Sequence, residues 1–379
     1  MDLAFTQEEE AFRAEARDWL AAHVPTAPLP SLETAEGFAA HRAWEAELAA
    51  DRWSVVNWPE AYGGRDAGLI RWLIFEEEYW AAGAPGRVGQ NGISLLAPTL
   101  FDHGTAEQRA RVLPPMATGD VVWAQAWSEP EAGSDLASLR SRAVRTDGGW
   151  LLSGQKTWSS RAAFADRAFG LFRSEPGLPK PHQGLTYLMF DLRAPGVTVR
   201  PIGRLDGKPA FAELFLDGVF VPDEDVIGTP GEGWHIAMSA AGNERGLMLR
   251  APGRFLAAAG RLRELWTERG CPQHARDRVA DALIGARAYQ LFTYAAASRF
   301  LEGGSLGPES SLNKVFWSEL DLALHETALD LLDGDGELTD TDWSEGYVFS
   351  LAGPVYAGTN EIQRDIIAER LLGLPKGRR

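Results

Sequence analysis

The sequence predicts an α+β multidomain protein, in which a helical N-terminal domain, a middle β-barrel or sandwich domain and a C-terminal helical bundle follow one another. Three observations predict this fold class. Apolar residues recur at helical spacing over 1–120, short β-prone runs separated by turn residues fill 121–228, and long helical patterns return over 229–379. Helices segregated from strands in this way argue against a doubly wound parallel sheet and its usual nucleotide site.

The N-terminal segment carries the apolar stripe of an amphipathic helix. Apolar residues recur three, four and seven positions apart, with charged residues between them, at Phe5, Phe12, Ala16, Trp19 and Leu20. The proline-rich stretch 24–30 is expected to end this helix. Two further helices are predicted over 37–50 and 69–80, and the Gly63-Gly64 pair supplies a turn between them.

The middle segment is typical of short strands. Asp147-Gly148-Gly149 lies between the β-prone runs 143–146 and 150–152, which is the pattern of a β-hairpin. Further strands are predicted over 184–191, 197–201 and 212–221.

The C-terminal segment is helical again. Helices are predicted over 234–269, 275–301, 310–332 and 359–372. The polar, glycine-bearing stretches 303–307 and 333–342 are predicted to be loops between them.

Composition excludes several classes of protein. With 37 Lys and Arg residues against 53 Asp and Glu, the net charge is −16, which argues against a nucleic-acid partner. The single cysteine, Cys271, excludes an intrachain disulfide and favours the reducing cytoplasm, and the seven histidines lack metal-ligand spacing, so no metal site is predicted. No run of about 18 apolar residues occurs and the N-terminus is acidic, so neither a membrane span nor an export signal is predicted.

Three segments carry the chemistry. Phosphate-binding motifs such as GxxxxGK[ST] and GxGxxG are absent, so a nucleotide-dependent enzyme would need another way to hold phosphate. Ala126 to Asp135 packs hydroxyls and two turns into ten residues, where backbone N–H groups could converge on a polar ligand. Tyr356 to Gln363 places a glycine before a helix start, whose free N–H groups suit pyrophosphate. The third segment runs from Gly154 to Ser160.

Together with other segments, these three resemble the acyl-CoA dehydrogenase family along nearly the whole chain. The helical, β, helical order and the spacing of the segments are similar to the family's. The matching segments are Gly104-Thr105-Ala106-Glu107-Gln108 ahead of Leu113-Pro114-Pro115, Trp127-Ser128-Glu129-Pro130 with Ala132-Gly133-Ser134-Asp135, Gly154-Gln155-Lys156 with Trp158, Leu216-Asp217-Gly218-Val219-Phe220-Val221-Pro222, and Tyr356 with Gly358-Thr359 and Glu361-Ile362-Gln363-Arg364.

The resemblance implies an FAD held between the β domain and the C-terminal helices. Trp127 and Ser128 are expected along the flavin ring, with Ser128 bonded to its polar edge, while Trp158 packs on the ring and Ser160 lies near its reactive edge. Ser134 is expected at the FAD or CoA phosphates. Further FAD contacts are expected from Thr359, Glu361 and Arg269, and further substrate contacts from Arg245, Tyr356 and Ala357.

The family's reaction removes a proton α to a thioester and passes a hydride from the β carbon to flavin, which requires a carboxylate base. In many members the base directly follows the tyrosine of the Tyr-x-Gly-Thr motif, but this chain has Ala357 there. Other members carry it on the long helix that opens the C-terminal domain, where Glu244 occupies the matching place. At helical spacing Glu244 shares a face with apolar residues, which is costly without a function or a partner. Glu244 is therefore the predicted base.

Two other functions remain open at this stage. Related bacterial proteins form hetero-oligomers in which one subunit lacks a working flavin or base, and the Arg and Phe-Gly that a neighbouring subunit often contributes to the FAD site are unclear over 267–278, where only Arg269 is a plausible match. A flavin monooxygenase on the same fold would need no base. The leading expectation is an acyl-CoA dehydrogenase, acting on an acyl-CoA or acyl-carrier-protein thioester and passing electrons to an electron-transfer flavoprotein, as a homotetramer, dimer or hetero-oligomer.

Overall fold

The computed structural model describes residues 4–245, 251–304, 307–337 and 341–376, with only the backbone described for 240–245. The chain forms two compact units, and neither is continuous in sequence. We call Ala27–Asp66 with Pro85–Asn243 the sheet unit, and Met1–Thr26 with Ala67–Ala84 and Glu244–Arg379 the helical unit. The division into domains 1–120, 121–228 and 229–379 stays a prediction.

The sheet unit contains one eight-stranded sheet. Its strands are β1 (Trp123–Ala126), β2 (Arg142–Thr146), β3 (Gly149–Ser160), β4 (Arg167–Arg173), β5 (Leu185–Asp191), β6 (Val197–Ile202), β7 (Phe211–Pro222) and β8 (Val226–Ile227). Their order is β6-β7-β3-β2-β4-β5-β8, and β1 pairs in parallel with β4. The predicted hairpin is confirmed, because β2 and β3 pair antiparallel from Thr146 opposite Gly149.

Helices occupy both sides of the sheet segment in sequence, as predicted. They are α1 (Gln7–His23), α2 (Ala35–Ala50), α3 (Gly68–Ala81), α4 (Ala97–His103), α5 (Ala106–Ala117), α6 (Gly233–Arg245), α7 (Pro252–Glu268), α8 (Arg276–Leu301), α9 (Ser310–Leu332), α10 (Asp342–Ser350) and α11 (Asn360–Ile366). Short π-helical segments, Gly92–Leu96 and Ile367–Leu371, precede α4 and follow α11. The α+β fold class is thus confirmed.

The single helix predicted over 234–269 is wrong. Helix α6 is described as far as Arg245, residues 246–250 lie outside the described residues, and a separate helix, α7, begins at Pro252. Pro252 lacks a backbone N–H and favours the first position of a helix, and Ala251 before it is extended, with ψ of 143°. The predicted loop 333–342 contains a short 3-10 turn, Asp333–Glu337.

Strands β1, β4 and the two-residue β8 were not predicted, and burial gives the reason for β1 and β4. Side chains of β1 and β4 belong to two apolar clusters on opposite faces, so both faces of these strands are covered. Phe169 and Tyr187 pack with α4, α5 and α6 on one face, whereas Ala168 and Phe190 pack with residues of β2, β3 and β7 on the other. A strand buried on both faces shows no alternation of polar and apolar residues.

In the helical unit, α7, α8 and α9 pack around a core of their own. Phe255, Tyr289 and Trp317 are buried there with close ring contacts. Arg254 of α7 also donates from Nη2 to both carboxylate oxygens of Asp321 of α9, at 3.2 and 2.9 Å. The Asp321 side chain is 2% exposed, so this ion pair is largely removed from water.

We expect Asp321→Asn to lower the free energy of unfolding by about 3 kcal/mol or more, because it leaves the half-buried Arg254 without its counter-ion. Urea unfolding followed by circular dichroism measures the change. Asp330→Asn is the matched control, since Asp330 forms an exposed pair with Arg278 in the same unit and should cost less than about 1 kcal/mol. Equal effects of the two substitutions would contradict the expectation.

Candidate active site

The turn after β1 is closed by backbone hydrogen bonds. Glu129 and Ala132 exchange N–H···O bonds of 3.0 and 3.1 Å, which leaves Pro130 and Glu131 exposed at the tip. The carboxylate of Glu129 faces inward and accepts from the backbone N–H groups of Arg140 at 2.6 Å and Ser141 at 2.9 Å. The turn is therefore held from within by a buried carboxylate.

Lys156 of β3 joins this turn to the sheet. Its fully buried Nζ donates to Glu129 Oε1 at 2.9 Å, to the Leu171 carbonyl at 2.7 Å and to the Trp127 carbonyl at 3.3 Å. The Thr157 N–H donates to the Ser128 carbonyl at 2.9 Å. The structure thus brings together two of the three segments that the sequence singled out.

Glu129 and Lys156 were quoted in the sequence motifs but not predicted to be site residues. Burial lowers the pKa of Lys156 to about 8, although the Glu129 carboxylate opposes the shift. Burial also opposes ionisation of Glu129, but the charge of Lys156 and three hydrogen bonds hold the pKa of that carboxyl below its ordinary value. Both groups are consequently charged near neutral pH. The sequence signal that could have identified this pair is a glutamate in one motif and a lysine in the next, two opposite charges inside segments predicted to bind a ligand.

The depressed pKa of Lys156 predicts a pH dependence of stability. Between about 8 and the ordinary value of 10.5, the unfolded chain holds a proton that the folded chain has lost. The contribution of Lys156 therefore makes the free energy of unfolding rise with pH across this window. Below the window Lys156 is charged in both states, and the full cost of burying its charge lowers the stability of the folded chain. We expect the parent to gain stability relative to Lys156→Met between about pH 7 and about pH 9.5. A constant difference in unfolding experiments would contradict this.

Trp158 stands out of the strand in an unusual conformation. The register of β3 against β7 shifts between Lys156 and Ser159, so two residues of β3 oppose one residue of β7 there. Trp158 has φ of 59°, in the left-handed region that bulky residues rarely adopt, and is 60% exposed. Its ring meets only the edge of Phe211, at 5.8 Å between centroids, among the ring contacts of the described residues. An exposed indole face in a strained backbone fits a flat ring system such as flavin.

The other predicted FAD residues of the sheet unit lie on the same two segments. Trp127 is half-buried, and its indole N–H donates to the hydroxyl of Tyr187 at 3.1 Å. The hydroxyls of Ser128, Ser134 and Ser160 form no hydrogen bond within the described residues, so they are available to a ligand. This donor set fits the polar edge and phosphates of FAD, and the Trp127–Ser134 turn and the Trp158–Ser160 segment together form what we call the flavin face.

In the helical unit, Tyr356 and the start of α11 lie together. The Tyr356 ring packs between Trp317 and Phe349, at 5.7 and 6.4 Å between centroids. Ala357 also has a left-handed backbone, with φ of 56°, although it is not a glycine. Thr359 caps α11 by accepting from the Ile362 N–H at 3.3 Å. Hydrogen bonds to its own N–H and to Thr359 lower the pKa of the exposed Glu361.

For three predicted site residues, the structure either does not describe the side chain or gives it another partner. The backbone of Glu244 and Arg245 is helical, within α6, and their side chains lie outside the described residues. Arg269 follows α7 and donates to Asp335 at 3.1 Å, so it already has a carboxylate partner within the chain. Among the described side chains, no group of three or more His, Cys, Asp or Glu residues could hold a metal ion.

Comparisons with known proteins agree with this architecture. The N-terminal, middle and C-terminal domain models of acyl-CoA dehydrogenases match residues 6–120, 124–219 and 231–372. The chain is 37% identical to acyl-CoA dehydrogenase IpdE1 of Mycobacterium tuberculosis, over 98% of this chain and 99% of that protein. It is 38% identical to acyl-CoA dehydrogenase FadE34 of the same organism, over 84% of this chain and 44% of the relative. The ChsE4-ChsE5 complex of M. tuberculosis is similar in structure, with a TM-score of 0.83, 28% identity and full coverage of both chains.

Fold, flavin face and comparisons define a flavin-dependent oxidoreductase with FAD as its cofactor. The chain belongs to the acyl-CoA dehydrogenase family, since the three family models together match most of its length. Its activity is acyl-CoA dehydrogenation. None of the helices in the described part of the chain is long and apolar enough to cross a membrane.

Proposed function

We propose that the chain desaturates an acyl thioester between its α and β carbons, with Glu244 as the base. The observation that carries the proposal is the flavin face: Lys156 and Thr157 tie the Trp127–Ser134 turn to the strand that presents Trp158. Bound FAD would supply the acceptor for the hydride from the β carbon. Trp127, Ser128, Trp158 and Ser160 would hold the flavin ring, and Thr359, Glu361 and Arg269 the remainder of the cofactor.

The chain's own groups would handle the proton and the thioester. Glu244 would take the α proton, because no other candidate carboxylate follows Tyr356 where Ala357 stands. Negative charge then builds on the thioester oxygen, and the backbone N–H of Ala357 would donate to it, a function that does not depend on the side chain. Ser134 and Arg245 would meet the polar and phosphate groups of the substrate, against the overall charge of −16.

The electron acceptor and the assembly are further parts of the proposal. We propose an electron-transfer flavoprotein as acceptor, and a hetero-oligomer with a related subunit as the assembly. The structurally similar ChsE4-ChsE5 assembly is a complex of two proteins, which supports a hetero-oligomer over a homo-oligomer. The base-poor partner subunit is the alternative role for this chain.

Anaerobic titration with acyl-CoAs of differing shape tests the function. We expect a yellow protein whose visible absorbance is bleached by at least one member of a panel of linear, branched and ring-bearing acyl-CoAs. The chain should be purified alone and together with a related subunit, because the proposed hetero-oligomer binds FAD only when complete. Persistent colour with every acyl-CoA, combined with oxygen-dependent hydroxylation, would overturn the proposal in favour of a monooxygenase.

A further inference from the structure

A buried ion pair lies just beyond the segment that presents Trp158 and Ser160. Arg161, the next residue, donates from Nε and Nη2 to Glu33 Oε1 at 3.2 and 3.0 Å. The Glu33 side chain is 4% exposed and that of Arg161 15%, so the pair is shielded from water. Glu33 directly precedes Thr34, whose hydroxyl caps α2 by accepting from the Gly37 N–H. The pair therefore ties the start of α2 to the end of β3 within the sheet unit.

Arg161 is itself in an unusual conformation. Its φ is 55°, so two left-handed residues that are not glycine, Trp158 and Arg161, occur within four positions. Such conformations cost free energy and persist only where the surroundings determine them. The Arg161 N–H donates to the Ala210 carbonyl at 2.8 Å, which fixes the backbone where β3 leaves the sheet.

The segment 157–160 is consequently held from both ends. Lys156 precedes it and bonds to the buried Glu129, and Arg161 follows it and bonds to the buried Glu33. Between these pairs, Ser159 is fully buried while Trp158 is exposed. Since ion pairs in a low dielectric restrain their partners strongly, a change at Glu33 should reach Trp158 through Arg161.

We propose that Glu33 is a positioning residue for the flavin face: it fixes the Arg161 side chain, which in turn fixes the left-handed backbone that presents Trp158 and Ser160. The proposal rests on the proposed FAD contacts of those two residues. The Glu33 carboxylate accepts hydrogen bonds from Arg161 at Oε1, and its other oxygen, Oε2, has no hydrogen-bond partner in the described part of the chain. Glutamine at this position would keep one oxygen acceptor for Arg161, while the charge is lost and an amide NH₂ group replaces the second oxygen.

The test compares Glu33→Ala and Glu33→Gln with the parent, in the complete protein with any partner subunit it needs. We expect Glu33→Ala to weaken FAD binding by about tenfold or more and to change the visible spectrum of the bound flavin, because a small displacement of a positioned group has a large effect. Glu33→Gln should bind FAD within about threefold of the parent, since a neutral acceptor keeps part of a charge-assisted bond. Thermal unfolding is measured in parallel.

Asp223→Asn is the control, because Asp223 forms an exposed ion pair with Arg145 on the same sheet, away from Trp158 in sequence. It should leave FAD affinity and spectrum as in the parent. Parental FAD affinity and spectrum in Glu33→Ala would overturn the proposal. If Glu33→Ala does not fold, Arg161→Met decides, since methionine keeps much of the aliphatic chain but offers Glu33 no donor and no charge; parental FAD affinity and spectrum in that variant would equally overturn the proposal.

The result of this test can be distinguished from the result of the test of the dehydrogenase proposal. A parent that binds FAD but is reduced by no acyl-CoA contradicts the dehydrogenase proposal, while the effect of Glu33 on FAD affinity and spectrum still decides the positioning role. A parent that binds no FAD, with or without a partner subunit, contradicts both.

Discussion

The Glu244→Gln variant is expected to bind FAD as the parent does and to lose bleaching of the flavin by acyl-CoA. Glutamine has nearly the shape of glutamate but cannot accept the α proton of a thioester. A general base contributes roughly 10²- to 10⁴-fold to such a step, and α protons of thioesters are too weakly acidic for water to replace it. Anaerobic stopped-flow absorbance of the flavin measures the rate of reduction.

A matched control and a rescue make this prediction specific. Glu268→Gln removes an exposed carboxylate from the end of α7 and should reduce at the parental rate. Adding Ala357→Glu to Glu244→Gln moves the carboxylate to the place where many family members carry it. Ala357 already adopts a left-handed backbone, so the new side chain adds little backbone strain there. We expect at least about tenfold recovery of the reduction rate over Glu244→Gln.

One result would contradict the assignment of the base: reduction of Glu244→Gln at the parental rate would show that another group takes the proton. Failure of the double variant to recover, with FAD still bound, would show that a side chain at 357 does not reach the α carbon. It would leave both the assignment of Glu244 and the proposed backbone donor at Ala357 unchanged, because neither depends on that side chain.

Local patterns in the sequence predict most of the fold. The amphipathic stripe from Phe12 to Leu20 lies in α1, with Phe5 just before the N-cap Thr6, and the Asp147-Gly148 turn joins β2 to β3. Elements without a local sequence pattern were not predicted. Strand β4, for example, is buried on both faces and therefore lacks an alternation of polar and apolar residues. The break before α7 depends on Pro252, which favours a helix start, so a helix drawn through it was too long.

The flavin face shows the limit of motif-based inference. The motifs identified Trp127 and Trp158, and both lie on segments that the structure joins. They could not reveal that Lys156 bonds to Glu129, since that contact spans 27 residues and depends on the register of the sheet. Nor could they reveal the left-handed conformation of Trp158, because it lies in a bulge that depends on how β3 pairs with the distant β7.

The Lys156→Met variant is expected to lose about 3–5 kcal/mol of unfolding free energy and to release FAD. Methionine fills much of the space but donates no hydrogen bond, so the Glu129 carboxylate loses its counter-ion while it remains buried. The carbonyls of Leu171 and Trp127 lose a donor at the same time. Because the Trp127 carbonyl belongs to the turn that would contact flavin, stability and FAD affinity should fall together. Urea unfolding and FAD titration measure the two effects.

Two further variants show whether the ion pair causes the effect. Glu131→Gln removes an exposed partner of Arg140 from the tip of the same turn and should change stability by less than about 1 kcal/mol. Glu129→Gln combined with Lys156→Met removes both buried charges, so the double variant should be more stable than the sum of the single losses predicts, by about 0.5–3 kcal/mol. Strict additivity would mean that Lys156 acts independently of Glu129, through its hydrogen bonds to the Leu171 and Trp127 carbonyls. The buried pair would then not account for the shape of the turn, and Trp158 would have to be held by its hydrogen-bonded neighbours alone.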